Sequence, residues 1–443
     1  MRTRMVLAGA AAGIVGLVTV AQGQTPGAAA STPTFSKDVA PIFYKNCTVC
    51  HRPGEIAPMS LLTYKDARPW AKSIADRVSR GVMPPWHADP AYGVFLNDRR
   101  LSDADKSTIV RWAGAGAPEG NPADLPPAPS HAAGWMMGEP DVVLAMNEAY
   151  PVPAEGTVEY KYFEVPTNFT EDKFIQAMEV RPGNRAVVHH VIVYARPPQP
   201  EPRTAALKFA EGMEIPKNEE AAAKRRAPLN DRPAPQRLGP SIGGFAPGQF
   251  VREYNPGTAV RVPAGAVLVL QMHYTANGTP ATDQTRIGLR LAKEKPKDEV
   301  RMSAIINGAF TIPAGASEHR VDADATIQQD LTVWSMLPHT HVRGKRWTYE
   351  VTYPDGRTET ILSVPKYDFN WQTDYIFKEP LRLPKGTKIH ATAWYDNSKT
   401  NASNPDPSID VKWGDQTWEE MMFTALNYTL NAPPAPPTSG EKR

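Results

Sequence analysis

Apolar and polar positions alternate in two different textures along this chain. Between Phe35 and about Gly120 the apolar spacing is helical. Asp38 can cap a short helix leading into Cys47, and residues 70–82 place Ile74 and Val78 four apart. Ser102 with Asp105 opens a third helix carrying Ile109, Val110, Trp112 and Ala113. From about Gly138 the pattern changes to short runs rich in Val, Tyr, Phe and Thr, separated by Pro/Gly turns. These runs cover residues 158–165, 186–194, 266–274, 331–336, 347–353 and 388–394, and Tyr353-Pro354-Asp355-Gly356 is a strong turn signal.

Many short strands between turns predict antiparallel sandwiches, and a β-rich stretch of roughly 300 residues is long for one, so a division near 293–298 is expected. Pro-rich residues 117–130 mark the boundary between the two textures. The predicted architecture is multidomain. An all-α domain at 35–120 and a linker at 121–137 precede antiparallel β-sandwich (jelly-roll-like) domains at 138–293 and 298–430, with a disordered tail at 431–443. Residues 199–241 form a polar, Pro-rich insertion with one possible helix at 218–226, read as a surface excursion.

Composition narrows the function classes. Of 443 residues 45 are Pro, which argues against a mostly helical protein. Lys plus Arg number 49 against 47 Asp plus Glu, a net +2 that gives no electrostatic footprint for nucleic acid or an anionic membrane. Arg2 and Arg4 precede an apolar stretch at 5–20 and the small-x-small site Ala21-Gln22-Gly23, so residues 1–23 read as a cleaved signal peptide. The expected location is the periplasm or outside the cell, with no membrane span after cleavage.

The two cysteines stand in Cys47-Thr48-Val49-Cys50-His51. C-x-x-C-H fits covalent haem c, with thioethers from Cys47 and Cys50 and His51 as the proximal iron ligand. A redox dithiol would want a βαβ context, and a zinc site would need further ligands. Three residues compete for the sixth position: Met83 in the Pro-braced loop Gly81-Val82-Met83-Pro84-Pro85-Trp86, Met59, and His87. Met83 is preferred and Met59 is assigned to the core. The segment resembles a small class I cytochrome c at the attachment motif, and His/Met ligation suits an electron carrier.

Five of the ten histidines fall in three compact motifs: His189-His190, His273 in Gln271-Met272-His273-Tyr274, and His339-Thr340-His341. Side chains alternate along a strand, so H-x-H puts both rings on one face. The adjacent pair can share a metal only where its strand ends, bulges or bends. Each motif alone is more simply structural, and His131, His319 and His390 are read so. Trp86, Trp334, Trp371 and Trp394 receive no role, since aromatic residues in β-proteins are usually core.

In order, His-His, His-Tyr, His-Thr-His and then Trp418-Glu419-Glu420-Met421, the chain resembles the copper type II, ascorbate-dependent monooxygenases, which include peptidylglycine alpha-hydroxylating and dopamine beta-monooxygenase. The resemblance spans roughly residues 138–430. It implies two β-sandwich domains, each holding one copper, across a solvent-filled cleft. It implies an electron-transfer copper on His189, His190 and His273, and a catalytic copper on His339, His341 and Met421. Met421 is preferred to the adjacent Met422 by its place in the motif. Imidazole suits copper and a thioether favours Cu(I).

Departures matter as well. Where peptide-amidating members hold the substrate carboxylate with Arg, Asn and Tyr, this chain has Leu337, Phe423 and Ala425. A carboxylate there would be unpaired, so a peptidylglycine substrate is not expected. The family's disulfides are missing too. The expected activity is hydroxylation of a C–H bond of a small molecule with dioxygen. Electrons would come from ascorbate or a redox protein, through haem c to the first copper. The alternative is a non-catalytic periplasmic copper-binding redox protein.

Overall fold

Proline and β-branched residues keep helices short in this chain. In a computed structural model, which describes residues 31–55, 57–129, 135–199, 206–209, 238–246 and 251–431, the α-helices are Ala40–Asn46, Tyr64–Ala67, Ala71–Ser79 and Asp103–Gly114. The longest has 12 residues. Its N-terminus is capped by the Ser102 hydroxyl, which accepts from the Asp105 N–H at 3.1 Å. Ile74, Val78, Ile109 and Trp112 meet Phe35 and Phe43 in a small core. No described helix is long and apolar enough to cross a membrane.

Residues 142–299 form the first β unit, with two sheets that share one core. One sheet runs Val142–Ala145, Arg286–Leu291, Lys173–Arg181, Thr258–Val262 and Asp298–Glu299, with Val251–Glu253 also on Lys173–Arg181. The other runs Lys161–Pro166, Val267–Tyr274, Val188–Arg196 and Ser241–Phe245. The second unit pairs the sheet Arg301–Ile306, Phe423–Leu430, Leu331–His339 and Tyr375–Leu383 with the sheet Thr358–Val364, Gly344–Thr352, Lys388–Tyr395, His319–Ile327 and Leu207–Phe209. The chain passes from one unit to the other at Val300. At the Tyr353–Gly356 turn the Gly356 N–H reaches the Tyr353 carbonyl at 2.9 Å, with Gly356 at φ +86°, where a side chain would be strained.

The expected fold class is overturned. The chain is mostly β-sheet, its helices are short, and no extended all-α domain occupies residues 35–120. The physical reason lies in residues 84–97. Trp86, Ala88 and Phe95 are buried in the core of the second β unit, with Trp86 and Phe95 packed on Tyr375 at ring distances of 5.1 and 5.4 Å. Backbone bonds fasten the same strap: Asp89 N–H to Ser363 O at 2.9 Å, Leu96 N–H to Ile376 O and Lys378 N–H to Val94 O, both at 2.8 Å.

One strand crosses between the two β units. Leu207–Phe209 lies within a segment assigned to the first unit, yet it pairs with His319–Ile327 of the second. A surface excursion would expose it, whereas Leu207 is buried. The expectations for residues 1–23, for a helix at 218–226, for His131 and for the tail beyond Asn431 lie outside the described residues.

Arg252 of the first unit holds the units together. Its guanidinium pairs with Asp374 and donates to the Ser335 hydroxyl at 3.1 Å. The Asp374 carbonyl accepts from Asn97 Nδ2 at 2.7 Å, so strap and both units meet at one point.

Because Phe95 belongs to the second unit's core, Phe95→Ala should lower stability by about 3–5 kcal/mol in denaturant unfolding. The loss should appear in the near-ultraviolet signal of that unit. An unchanged midpoint would mean that the strap does not contribute to the core.

Candidate metal centres

The first histidine set forms where two neighbouring strands fall out of register. Val188–Arg196 pairs with Val267–Tyr274, with His190 opposite His273 and Val188 opposite Tyr274. His189 is therefore the extra residue of a β-bulge. A bulge re-aims one side chain, which lets successive residues turn to the same side. The three rings stand with centroids 4.8, 5.1 and 5.5 Å apart, and their ligating nitrogens lie within 4.8 Å of one another.

His189 Nδ1 and His190 Nδ1 are 3.3 Å apart. Two nitrogens held at about 2.0–2.1 Å from one ion at a tetrahedral angle stand about 3.3 Å apart, so the spacing fits a shared metal. His273 Nδ1 is buried with no hydrogen-bond partner among the described residues. Tyr160 walls the set, its ring 5.0 Å from His273 and 5.6 Å from His190.

The second set stands at the end of Leu331–His339. The His339 and His341 rings are 5.2 Å apart. Each is oriented through Nδ1: His339 by Gln372 Oε1 at 2.9 Å, His341 by the Glu419 carbonyl at 3.0 Å. Anchoring Nδ1 fixes the tautomer and frees Nε2 for a metal. His341 Nε2 is buried with no hydrogen-bond partner among the described residues.

The intervening Thr340 is clasped by Tyr367, whose hydroxyl donates to the Thr340 carbonyl at 2.9 Å. Gly344 touches the Thr340 hydroxyl and the Tyr367 ring where a Cβ would collide. Glu420 accepts from the His341 and Arg343 N–H groups, both at 2.7 Å, and burial pushes its carboxyl up to about 8. Met422 is buried in the core of the second unit, while Met421, just before the strand Phe423–Leu430, is partly buried.

These sets are neighbours. Phe369 stacks on His189 at 5.4 Å and meets the His341 ring edge-on at 6.0 Å, so one aromatic ring separates them. Burial holds all five imidazoles below their ordinary range, His273 and His341 to about 3 and His339 to about 4. Repulsion between the sets adds to this, since His339 and His341 both act on His190. All five are neutral at neutral pH, the form that binds a metal.

At the C-x-x-C-H turn both thiols are free. Burial pushes the Cys47 thiol up to about 12 and raises Cys50 as well. His51 Nδ1 bonds to the Met59 carbonyl at 3.2 Å, leaving Nε2 for an iron, while Met59 packs against the small helical core. Met83 is partly buried beyond Ala71–Ser79, its N–H on the Arg77 carbonyl at 3.3 Å. His87 lies in the strap, where Asp368 acts on it, next to Phe369. Among the described hydrogen bonds and ring contacts, none joins Met83 or His87 to His51.

No family model matches the chain, and no curated protein matches it. Among solved structures, one described as PNGF-II is similar at 8% identity over 65% of each chain, with a TM-score of 0.29. The major capsid protein P2 from Bacteriophage PM2 is similar at 7% identity over 65% of this chain and 97% of its own, at 0.25. A structure of the infectious bursal disease virus Gt strain is similar at 12% identity over 66% and 71%, at 0.18. Scores this low decide neither fold nor chemistry.

Sequence reasoning missed Phe369, Gln372 and Tyr160. All three sit outside the histidine motifs, and nothing periodic in the sequence marks them.

Copper titration followed by EPR should show two sites. His273→Ala should remove the first, and Gln372→Ala should weaken the second by about 10–100-fold through loss of the Nδ1 anchor. Unchanged affinity in Gln372→Ala would sink the orienting role.

Proposed function

We propose that the chain is an exported, haem c- and copper-dependent monooxygenase that hydroxylates a C–H bond of an apolar small molecule with dioxygen. The observation that carries this reading is the pair of neighbouring, buried to partly buried, neutral histidine sets, each with one unpartnered ring nitrogen, His273 Nδ1 and His341 Nε2. Cys47, Cys50 and His51 would hold the haem, with Met83 the preferred sixth ligand. His189, His190 and His273 would hold one copper; His339, His341 and Met421 would hold the other. Bound there, haem c supplies one-electron transfer and copper supplies electron storage and dioxygen activation.

The protein's own groups do the rest. Gln372 and the Glu419 carbonyl hold the second pair of imidazoles in one tautomer and one orientation. Beside His339, Phe423 stands edge-on at 6.2 Å, and Leu337 pairs across the sheet with Ala425. That strip offers a substrate apolar contact and no partner for a carboxylate, which favours a hydrocarbon-like C–H over a peptidylglycine. Phe369 covers the His189 ring and the edge of His341, and His190 and His341 are buried.

The test is oxygen consumption by protein loaded with haem and copper, given a reductant such as ascorbate and a panel of apolar substrates under 18O2. One labelled oxygen atom should enter the product, and His339→Ala should abolish both consumption and label. Tight copper with no substrate-dependent oxygen uptake would favour the alternative, a copper-binding redox protein without catalysis.

A further inference from the structure

The C-x-x-C-H turn is fastened to the turn that leads into the strand of the first histidine set by three nearly buried charges. Arg52, one residue past the motif, donates to the Thr48 and Val49 carbonyls inside the turn at 3.0 and 2.7 Å. Its other guanidinium nitrogen donates to Glu55 Oε1 at 2.9 Å. Glu55 Oε2 accepts from Arg185 Nη1 at 2.6 Å. Arg185 precedes His189 by four residues and lies over the Phe245 ring at 5.5 Å, on the strand that neighbours Val188–Arg196.

The three side chains are only 9–12% exposed, so this is a desolvated chain of hydrogen bonds and not a surface ion pair. Arg52 and Arg185 both stand close enough to Cys50 to act on its thiol. The turn and the strand are thus held at one distance and one angle. A flexible tether between the two would need no such link.

We propose that Arg52, Glu55 and Arg185 are positioning residues: they fix the turn against the His189–His190 strand and so set the rate of electron transfer between the two sites. This rests on the proposed function, with haem at Cys47, Cys50 and His51 and copper at His189, His190 and His273. The step would move one electron: with both groups bound, ferrous haem would be oxidised to ferric and Cu(II) reduced to Cu(I), with no bond made or broken and no proton moved. Tunnelling falls off exponentially with separation, so a small displacement of the turn reads out as a rate loss.

The test uses the full chain loaded with haem and Cu(II). Haem is reduced by a light pulse, and internal transfer is followed by haem absorbance and the Cu(II) EPR signal. Glu55→Gln and Arg185→Gln should each slow internal transfer by about tenfold or more, because either change breaks a buried, charge-assisted link. Arg185→Lys, which keeps the charge, should recover most of the rate. Copper stoichiometry, haem content and oxidation of the haem by ferricyanide should stay as in the wild type, readouts that a general loss of structure would move, and the haem potential measured in each variant separates a change of driving force from a change of distance.

Should Arg185→Gln fail to load copper, Glu55→Gln carries the test, being remote from the copper ligands in sequence and close to its native shape. Wild-type transfer matched by equal rates in Glu55→Gln overturns the link and leaves the proposed function standing. A loaded wild type with no internal transfer at all refutes electron delivery through the haem, and the link's role with it.

Discussion

Five neutral imidazoles, two of them buried and three partly buried, stand in two sets with one phenyl ring between His189 and His341, and they are the constraint on which the rest of this molecule depends. A buried polar nitrogen without a partner costs free energy, and this cluster holds at least two, His273 Nδ1 and His341 Nε2. Desolvation and mutual repulsion keep all five rings unprotonated, so they cannot be satisfied by charging and pairing with a carboxylate. Glu420, the carboxylate nearest in sequence to Met421, is already committed to the His341, Arg343 and Met421 N–H groups. A soft cation that binds imidazole resolves the cost, which is why we read the cluster as a place for metal.

The architecture supports that cluster from three sides. A β-bulge in the first unit turns His189 and His190 together, and the end of a strand in the second presents His339 and His341. Phe369 fills the space between them. Arg252, Asp374 and Asn97 then pin the two units and the N-terminal strap to one another, and Glu55 with Arg185 ties the C-x-x-C-H turn to the first unit. The helical segment is thereby bonded to the first β unit through Glu55 and Arg185, and the strap that follows it packs into the second.

Much of the candidate site could be read from the sequence because its chemistry is concentrated in short motifs. His-Thr-His reads as two rings on one strand face; the strand ends at His339, yet the His339 and His341 rings stand 5.2 Å apart. The adjacent His189-His190 implied a bulge or bend that the register shift at His273 supplies. What could not be read depends on tertiary placement. Phe369, Gln372 and Tyr160 reach the histidines from loops, with no periodicity to mark them. The strap misled for a related reason. Residues 84–97 lie in a stretch whose apolar spacing reads as helical, and their Trp86 and Phe95 are core residues of another unit. Local pattern shows that a side chain will be buried; it does not show against what.

The central claim is that these histidines hold two metals in fixed places. Anomalous diffraction at the copper edge, from crystals of the copper-loaded protein, tests it most directly. The account predicts two peaks, one among His189, His190 and His273 and one beside His339, His341 and Met421, on either side of Phe369. A single peak, or copper bound elsewhere with both histidine sets empty, would contradict it.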